Sequence, residues 1–385
     1  MINGIPAWPS TDEVSGRIAR IKNLMAEASI NALVITNQYN LEYYSGFRSL
    51  FWLSDTRPLI AVVRIDSPGI SLILNASERR SEFLTRCPDV TPVFYTGFTD
   101  IALEAVVTVL EGLPQNAAIG FDYGRDMNGR GSVALISALQ RYRLSDAADL
   151  IWQQRLIKSE HELQGKQAAC KIATDAFFAG LPDLRLGMTE YAFGQNLKQR
   201  MIGLGADSVD WLPVRFGKNG RGYAQPNEDN ALRPDDFIWV DMGARRADQI
   251  SDLNRIAKVG KATAEQQELY DFVRAVTLRV AEAIRPGMTG HDAFAVFEPL
   301  WAARHFSQGA IAGRIGHGSG LALTEPPSLM AGSTEVIQED MVLHVEPKVE
   351  AAGGMFQTEE VFRVTPHGPE FLSTLAPSKL PVVDL

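Results

Sequence analysis

The chain has 385 residues, 45% hydrophobic and 22% charged, the balance of a globular protein with room for two domains and not of a disordered or fibrous one. Its formal net charge is -9 and no basic run stands out, which argues against a nucleic-acid surface, and no stretch approaches the ~18 apolar residues of a membrane span. Two cysteines, Cys87 and Cys170, do not make a disulfide-stapled secreted scaffold; Met1 to Pro9 shows no charged start leading into an apolar run, so a cytoplasmic enzyme is expected.

Along the chain, residues 12–28 place Val14, Ile18, Ile21, Leu24 and Met25 on one helical face. Residues 31–36 hold the run Ala-Leu-Val-Ile, a buried strand. Further strands are expected over 59–63 and 70–74, separated by the turn Asp66-Ser67-Pro68-Gly69, and over 117–121. Helices are expected over 100–113 and 132–139. Alternation of this kind gives an α/β domain spanning 1–152. After a boundary near 152–160, residues 160–179 read as a long helix, and 153–385 read as one further domain of mixed α and β structure.

That second domain contains an echo. Arg185-Leu186-Gly187-Met188-Thr189 returns as Arg285-Pro286-Gly287-Met288-Thr289, 100 residues on. Two unrelated helix-ending turns could produce it, since Gly suits a C-cap and Thr an N-cap. A repeated half would instead give two α/β halves about a pseudo-two-fold axis, with a site between them.

The acids favour the repeat. Asp241 stands inside the apolar strand Phe237-Ile238-Trp239-Val240-Asp241-Met242-Gly243, and Asp252 follows after a hairpin turn near Arg246-Ala247. In the second half Glu346 ends the strand Met341 to Val345, and Glu359 returns after the turn Ala351-Ala352-Gly353-Gly354. The first acids are 105 apart and the second 107. Each hairpin is expected to bring its two acids opposite each other. Carboxylates in apolar strands are costly unless paired or bound to metal, and four together cannot all stay ionised without a cation. Two divalent ions supply that charge, and oxygen donors with one nitrogen suit Mn, Fe(II), Co or Zn. The nitrogen is assigned to His317, set among Gly316, Gly318 and Gly320. His344 shares a strand face with Glu346 and is expected to line the cavity. His161, His291, His305 and His367 read as solvated positions.

These residues resemble the pita-bread enzymes: methionine aminopeptidase, aminopeptidase P, prolidase and creatinase. The resemblance rests on Val-Asp-Met-Gly, Ser-Asp-Leu-Asn-Arg, Gly-His-Gly-Ser-Gly-Leu, Val-Glu-Pro and Thr-Glu-Glu. It implies a smaller N-terminal creatinase-like domain before a pita-bread domain, and metal ligands at Asp241, Asp252, His317, Glu346 and Glu359. It also implies catalytic roles for Glu346, as proton acceptor and donor, and for His317, and a homodimer acting on a dipeptide or other small molecule. Two family histidines are absent, with Ala224 and Thr324 in their places. Tyr223, Gln225, Arg314 and Thr324 are the candidate substitutes. Arg48 and Trp52, in the aromatic segment Phe47 to Ser54, are further substrate-binding candidates, Arg48 through pairing with a carboxylate. The leading expectation is a metal-dependent hydrolase of a small amide or C–N substrate of Xaa-Pro type. The alternatives are a non-peptide hydrolase or lyase of creatinase or ectoine-hydrolase type, and a non-catalytic homologue.

Overall fold

The computed structural model describes residues 4, 6, 8–80, 87–123, 133–217, 222–304 and 313–385. It divides into two compact units, the first covering Trp8–Arg155 and the second containing Leu156–Leu385. The division falls at the end of a helix that runs through position 152, because Ile151, Trp152, Gln154 and Arg155 are all buried within that helix.

The first unit is a six-stranded sheet with helices. Its strands are β1 (Ala32–Ile35), β2 (Ile60–Arg64), β3 (Ile70–Asn75), β4 (Val90–Tyr95), β5 (Ala118–Phe121) and β6 (Arg143–Asp146), in the order β4-β3-β2-β1-β5-β6. Its helices are α1 (Thr11–Glu27), α2 (Gln38–Ser45), α3 (Thr99–Val109), α4 (Val133–Ala138) and α5 (Ala148–Arg155). Strand β1 is buried at every position, as its unbroken apolar run demands, and α1 turns Val14, Ile18, Ile21 and Met25 inward. Strand β6, Arg-Leu-Ser-Asp, carries no apolar pattern and went unread in the sequence; it forms because β5 offers it a parallel edge.

The second unit opens with α6 (Glu160–Gly180), started by a capping box in which Ser159 and Glu162 satisfy each other's backbone N–H groups. Then come α7 (Glu190–Gly203), β7 (Ser208–Trp211), β8 (Val214–Phe216), β9 (Phe237–Arg246), β10 (Gln249–Ile250), β11 (Leu253–Val259), α8 (Ala264–Ala283) and α9 (Gly290–Ala302). The strands β12 (Gly316–Gly318), β13 (Glu325–Ser328), β14 (Val342–Val345), β15 (Lys348–Ala351), β16 (Gly354–Gln357), β17 (Glu360–Thr365), β18 (Gly368–Phe371) and β19 (Val382–Val383) complete it. One sheet runs β10-β9-β11-β19, with β7 and β8 on β9, and another runs β13-β12-β14-β17-β18. Two apolar cores lie over them. One joins α6 and α7 residues such as Phe177, Phe193 and Leu197 to Ile238 and Val240; the other joins Val273, Val280 and Phe297 to Leu343, Phe356 and Phe362.

The sequence echo is a structural repeat. Gly187 N–H donates to Leu232 O and Leu232 N–H returns to Met188 O; Gly287 and Ile337 make the same exchange around Met288. Thr189 and Thr289 each cap a following helix, and each forms an isolated bridge, to Ala231 and Val336. Gly187 and Gly287 take φ of +85° and +94°, which a side chain would resist, so both turns need glycine. The halves differ one residue later. Glu190 is buried and accepts from the backbone N–H of Phe216 and Asn227, from Asn230 Nδ2 and from Arg215, whereas Gly290 has Ser328 O where a Cβ would stand.

Glu190 therefore fastens the loop before β9 to α7. Glu190→Ala takes the carboxylate from buried Arg215 and leaves the buried Phe216 N–H without its acceptor, and chemical denaturation should show a loss of about 3–5 kcal/mol.

Candidate metal centre

Strand β9 is buried from Phe237 to Ala244, and Asp241 is the single charge in that stretch. Its partner across the ladder is Asn254, not Asp252. Asp252 lies in the break between β10 and β11 with φ +48°, a left-handed conformation that Asp tolerates better than most residues. The expected face-to-face pairing of the two aspartates is thus replaced by a diagonal one. Glu346 and Glu359 do meet as expected: the register that pairs Val345 with Glu360 resumes at Lys348 and Gln357, so the two glutamates face each other in the gap between.

His317 is the middle residue of β12, which is squeezed between β13 and β14. A Cβ on Gly316 would stand 2.0 Å from His344 O, and one on Gly318 would stand 2.1 Å from Pro326 O. The glycines flanking His317 thus serve close backbone approach. The ring reaches Asp252 Oδ2 at 3.4 Å and Glu346 Oε1 at 3.6 Å through Nε2, while Nδ1 is held by Gly318 O at 2.8 Å. Asn254 N–H donates to Glu359 Oε2 at 2.8 Å and Arg255 donates to Glu359 O at 2.7 Å, which ties the two sheets together at the site. Asp241, Asp252, His317, Glu346 and Glu359 therefore converge in one buried cage.

The electrostatics describe a cage short of positive charge. Burial and the neighbouring Glu346 push the Asp241 carboxyl up to about 6, and burial with the adjacent acids holds Asp252 and Glu359 well above the ordinary carboxylate range. Burial pulls His317 down to about 4, so its imidazole is neutral at pH 7 and able to act as a ligand. Asp241 Oδ1 is buried with no partner among the described residues. Crowded carboxylates, a neutral imidazole and an orphaned oxygen fit a divalent cation. Donor atoms of Asp252, His317, His344 and Glu359 lie within 4.8 Å of one another.

Comparison with known proteins gives the same answer. The sequence profile of metallopeptidase family M24 matches residues 164–366, and the creatinase/prolidase N-terminal domain profile matches residues 17–157. The chain belongs to the M24 metallopeptidase family. An uncharacterized peptidase of Bacillus subtilis (strain 168) is 27% identical over 374 residues, covering 93% of this chain and 100% of that protein. An Xaa-Pro dipeptidase of Pyrococcus furiosus is 24% identical, covering 93% of this chain and 97% of that one. Among solved structures, an Xaa-Pro dipeptidase from Bacillus anthracis superposes with a TM-score of 0.83 at 22% identity, over 96% of this chain and 100% of that chain. The prolidase from Pyrococcus furiosus gives 0.78 at 22% identity, over 92% and 100%. The fold is the pita-bread fold preceded by a creatinase-like domain, and this M24 protein is a metal-dependent hydrolase.

The remaining sequence candidates scatter. His344 does not line an open cavity: it is wholly buried, its Nδ1 lies 2.7 Å from Glu359 Oε1, and its ring stacks parallel to His317 at 5.0 Å. Antiparallel pairing of β12 with β14 sets the two histidines directly opposite and produces that stack. Tyr223 is half-exposed and accepts from Lys348 Nζ at 2.9 Å. Arg314 reaches Thr324 Oγ1 at 3.2 Å, and its charge is felt at His317. Gln225 and Ala224 line a separate groove of about 820 Å³ with Arg215 and Arg233. Arg48 and Trp52 belong to the first unit, where Arg48 stacks over Trp8 at 4.0 Å and Trp52 is buried. His161 is half-buried, His291 and His367 are exposed, and His305 lies outside the described residues.

Two lysines escaped the sequence reading. Lys166 is wholly buried and donates to Ile250 O at 2.5 Å, Ser251 O at 3.1 Å and Ser319 Oγ at 2.6 Å, directly behind Asp252. Lys348 Nζ lies 3.1 Å from Glu346 Oε2, which Gln357 Nε2 also reaches at 3.1 Å; Gln357 is in turn fixed by Trp239 Nε1 at 2.9 Å. Their signals were present: Lys166 interrupts the apolar stripe Leu163, Cys170, Ala173, Phe177, and Lys348 follows Glu346 at strand spacing.

The raised carboxylates give the metal-free protein an unusual pH response. Acids whose folded pKa exceeds the unfolded one bind more protons folded than unfolded, so stability rises as the pH falls. From about pH 8.5 to 7.5 no buried histidine opposes this; His317 and His344, neutral in the fold, take up protons in the unfolded chain only within about one unit of their ordinary 6.5 and offset the gain below that. Thermal melts of chelator-treated protein should therefore rise over that interval, and metal-loaded protein should lose the rise. Asp252→Ala should weaken divalent-ion binding in calorimetry by more than the roughly 10–100-fold that an outer partner costs.

Proposed function

We propose that the chain hydrolyses an amide or related C–N bond in a small substrate, with Xaa-Pro dipeptides as the first class to test. The observation that carries this is the convergence of Asp241, Asp252, His317, Glu346 and Glu359 in one buried, charge-deficient cage. The Xaa-Pro dipeptidases among the relatives support the substrate class. Mn, Fe(II), Co and Zn all suit these donors. Five ligands suffice for two ions; the number held depends on what other charge the cage contains. A bound ion acidifies a water and polarises the scissile carbonyl.

The chain's own groups have definite tasks in this reading. Glu346 is the proton acceptor and later the donor, and only its Oε1 edge is open to that work, since Oε2 is occupied by Lys348 and Gln357. Burial would raise the Glu346 carboxyl, but Lys348 and His317 outweigh it and keep the group below its ordinary value, so it stands ready as the carboxylate. Neutral His317, its Nδ1 proton held by Gly318 O, offers Nε2 as a ligand. Tyr223, fixed by Lys348, and the Arg314–Thr324 pair are the polar groups that meet substrate in place of the two family histidines. A cytoplasmic homodimer in which Arg48 contributes to substrate binding completes the proposal, whereas Trp52 is buried inside the first unit and is left to packing.

Chelated protein reloaded with Mn or Co should cleave Xaa-Pro dipeptides and lose that activity again with chelator. Glu346→Gln should lower kcat by about 100-fold or more while metal content, read by mass spectrometry, falls far less. Metal-loaded protein that ignores every Xaa-Pro dipeptide and cleaves a non-peptide amide would overturn the substrate class and leave the hydrolase assignment standing.

A further inference from the structure

Four acids and two histidines meet in the cage, all buried except the half-buried Glu346, and their surroundings sort them into two groups. Asp252, His317, His344 and Glu359 gather their donor atoms within 4.8 Å of one another. Of the other two, Glu346 is paired with an ammonium group and Asp241 lies within that group's field. Lys348 Nζ is 3.1 Å from Glu346 Oε2, and its charge acts on Asp241 as well. Gln357 closes the same Glu346 oxygen, so Glu346 offers the cage a single oxygen and cannot chelate with both.

Charge points the same way. Asp241, Asp252, Glu346 and Glu359 carry four negative charges when ionised. Lys348 and Lys166 place two positive charges against them, and both lysines are buried. Lys166 donates to the carbonyls of the two residues before Asp252, which fixes it at the rear of the cage. One divalent ion then brings the set to neutrality, and a second would leave it doubly positive. At a few ångströms from a fixed ammonium, a second dication would bind weaker by on the order of 100-fold or more.

We propose that Lys348 stands in for one divalent ion, so that the chain holds a single ion, seated among Asp252, His317, His344 and Glu359. This rests on the metal-dependent reading above and replaces the two ions expected from the sequence by one ion and one internal cation. His344 becomes a cage residue: its Nε2 has no partner among the described residues, and its Nδ1 already touches Glu359. Asp241 and Glu346 become the carboxylates that Lys348 balances. That frees Glu346 from tight ligation and suits it to moving a proton.

The test uses the full chain, stripped with chelator and titrated with Mn(II). Calorimetry and mass spectrometry count the ions, and electron paramagnetic resonance separates an isolated Mn(II) from an exchange-coupled pair. Wild type should bind one ion tightly and show the isolated signal. Lys348→Met should bind two and show the coupled signal, while Lys348→Arg should return to one. His344→Gln should weaken the single ion by about tenfold or more. Two ions of similar affinity in wild type would overturn the proposal whatever the variants do. A folded Lys348→Met protein that still binds one ion would remove Lys348 from the role, and unchanged affinity in His344→Gln would remove His344 from the cage. Assay of the same samples on Xaa-Pro dipeptides separates the two readings: two ions with hydrolysis sinks the single-ion cage alone, and one ion without hydrolysis sinks the substrate class alone.

Discussion

Mutual repulsion among buried carboxylates is the constraint on which the functional half of this molecule depends. Asp241, Asp252, Glu346 and Glu359 are drawn from four chain segments into a space that excludes most water. Nothing in an apolar core rewards that arrangement; it persists only if cations share the space. The surrounding structure spends a good part of its hydrogen bonding on holding the acids in place. Asn254, His344, Gln357 and Lys348 each engage one carboxylate oxygen. Unmet oxygens, such as Asp241 Oδ1, point to where charge is still wanted.

The repeat supplies the means of building such a site. Each half provides a helix pair over its sheet and a hairpin that ends in acids, and the matching turns at Gly187 and Gly287 show how far the likeness goes. Departures from symmetry matter more for chemistry. The first hairpin bends at Asp252 and presents its acids diagonally, while the second keeps register across the Glu346–Glu359 gap. His317 has a counterpart in position but not in chemistry: β12 lies antiparallel beside β14 as β8 lies beside β9, and where His317 faces His344 the first half sets Arg215 opposite Trp239.

Positive charge is the other theme. Lys166 and Lys348 belong to the cage as fully as the acids do, and Arg314 adds its field from the rim. Lys348 holds the Tyr223 hydroxyl and Arg314 that of Thr324, two pairings that spacing along the sequence does not suggest.

Sequence alone determined the class of fold, the run of strands and helices with strong periodicity and the repeat, and it singled out five acid and histidine positions that the structure brings close together. Those features are legible because they live in local pattern: an acid inside Phe-Ile-Trp-Val-Asp, a histidine between glycines, a motif returning after 100 residues. Polar strand β6 was not legible, because only its neighbour makes it a strand. Tertiary structure alone decided that Asp241 faces Asn254, that His344 stacks beneath His317, and that Lys166 and Lys348 enter the cage. Each of these depends on which residue of a distant segment ends up opposite, and register between strands far apart in sequence is set by packing of the whole domain rather than by any local signal.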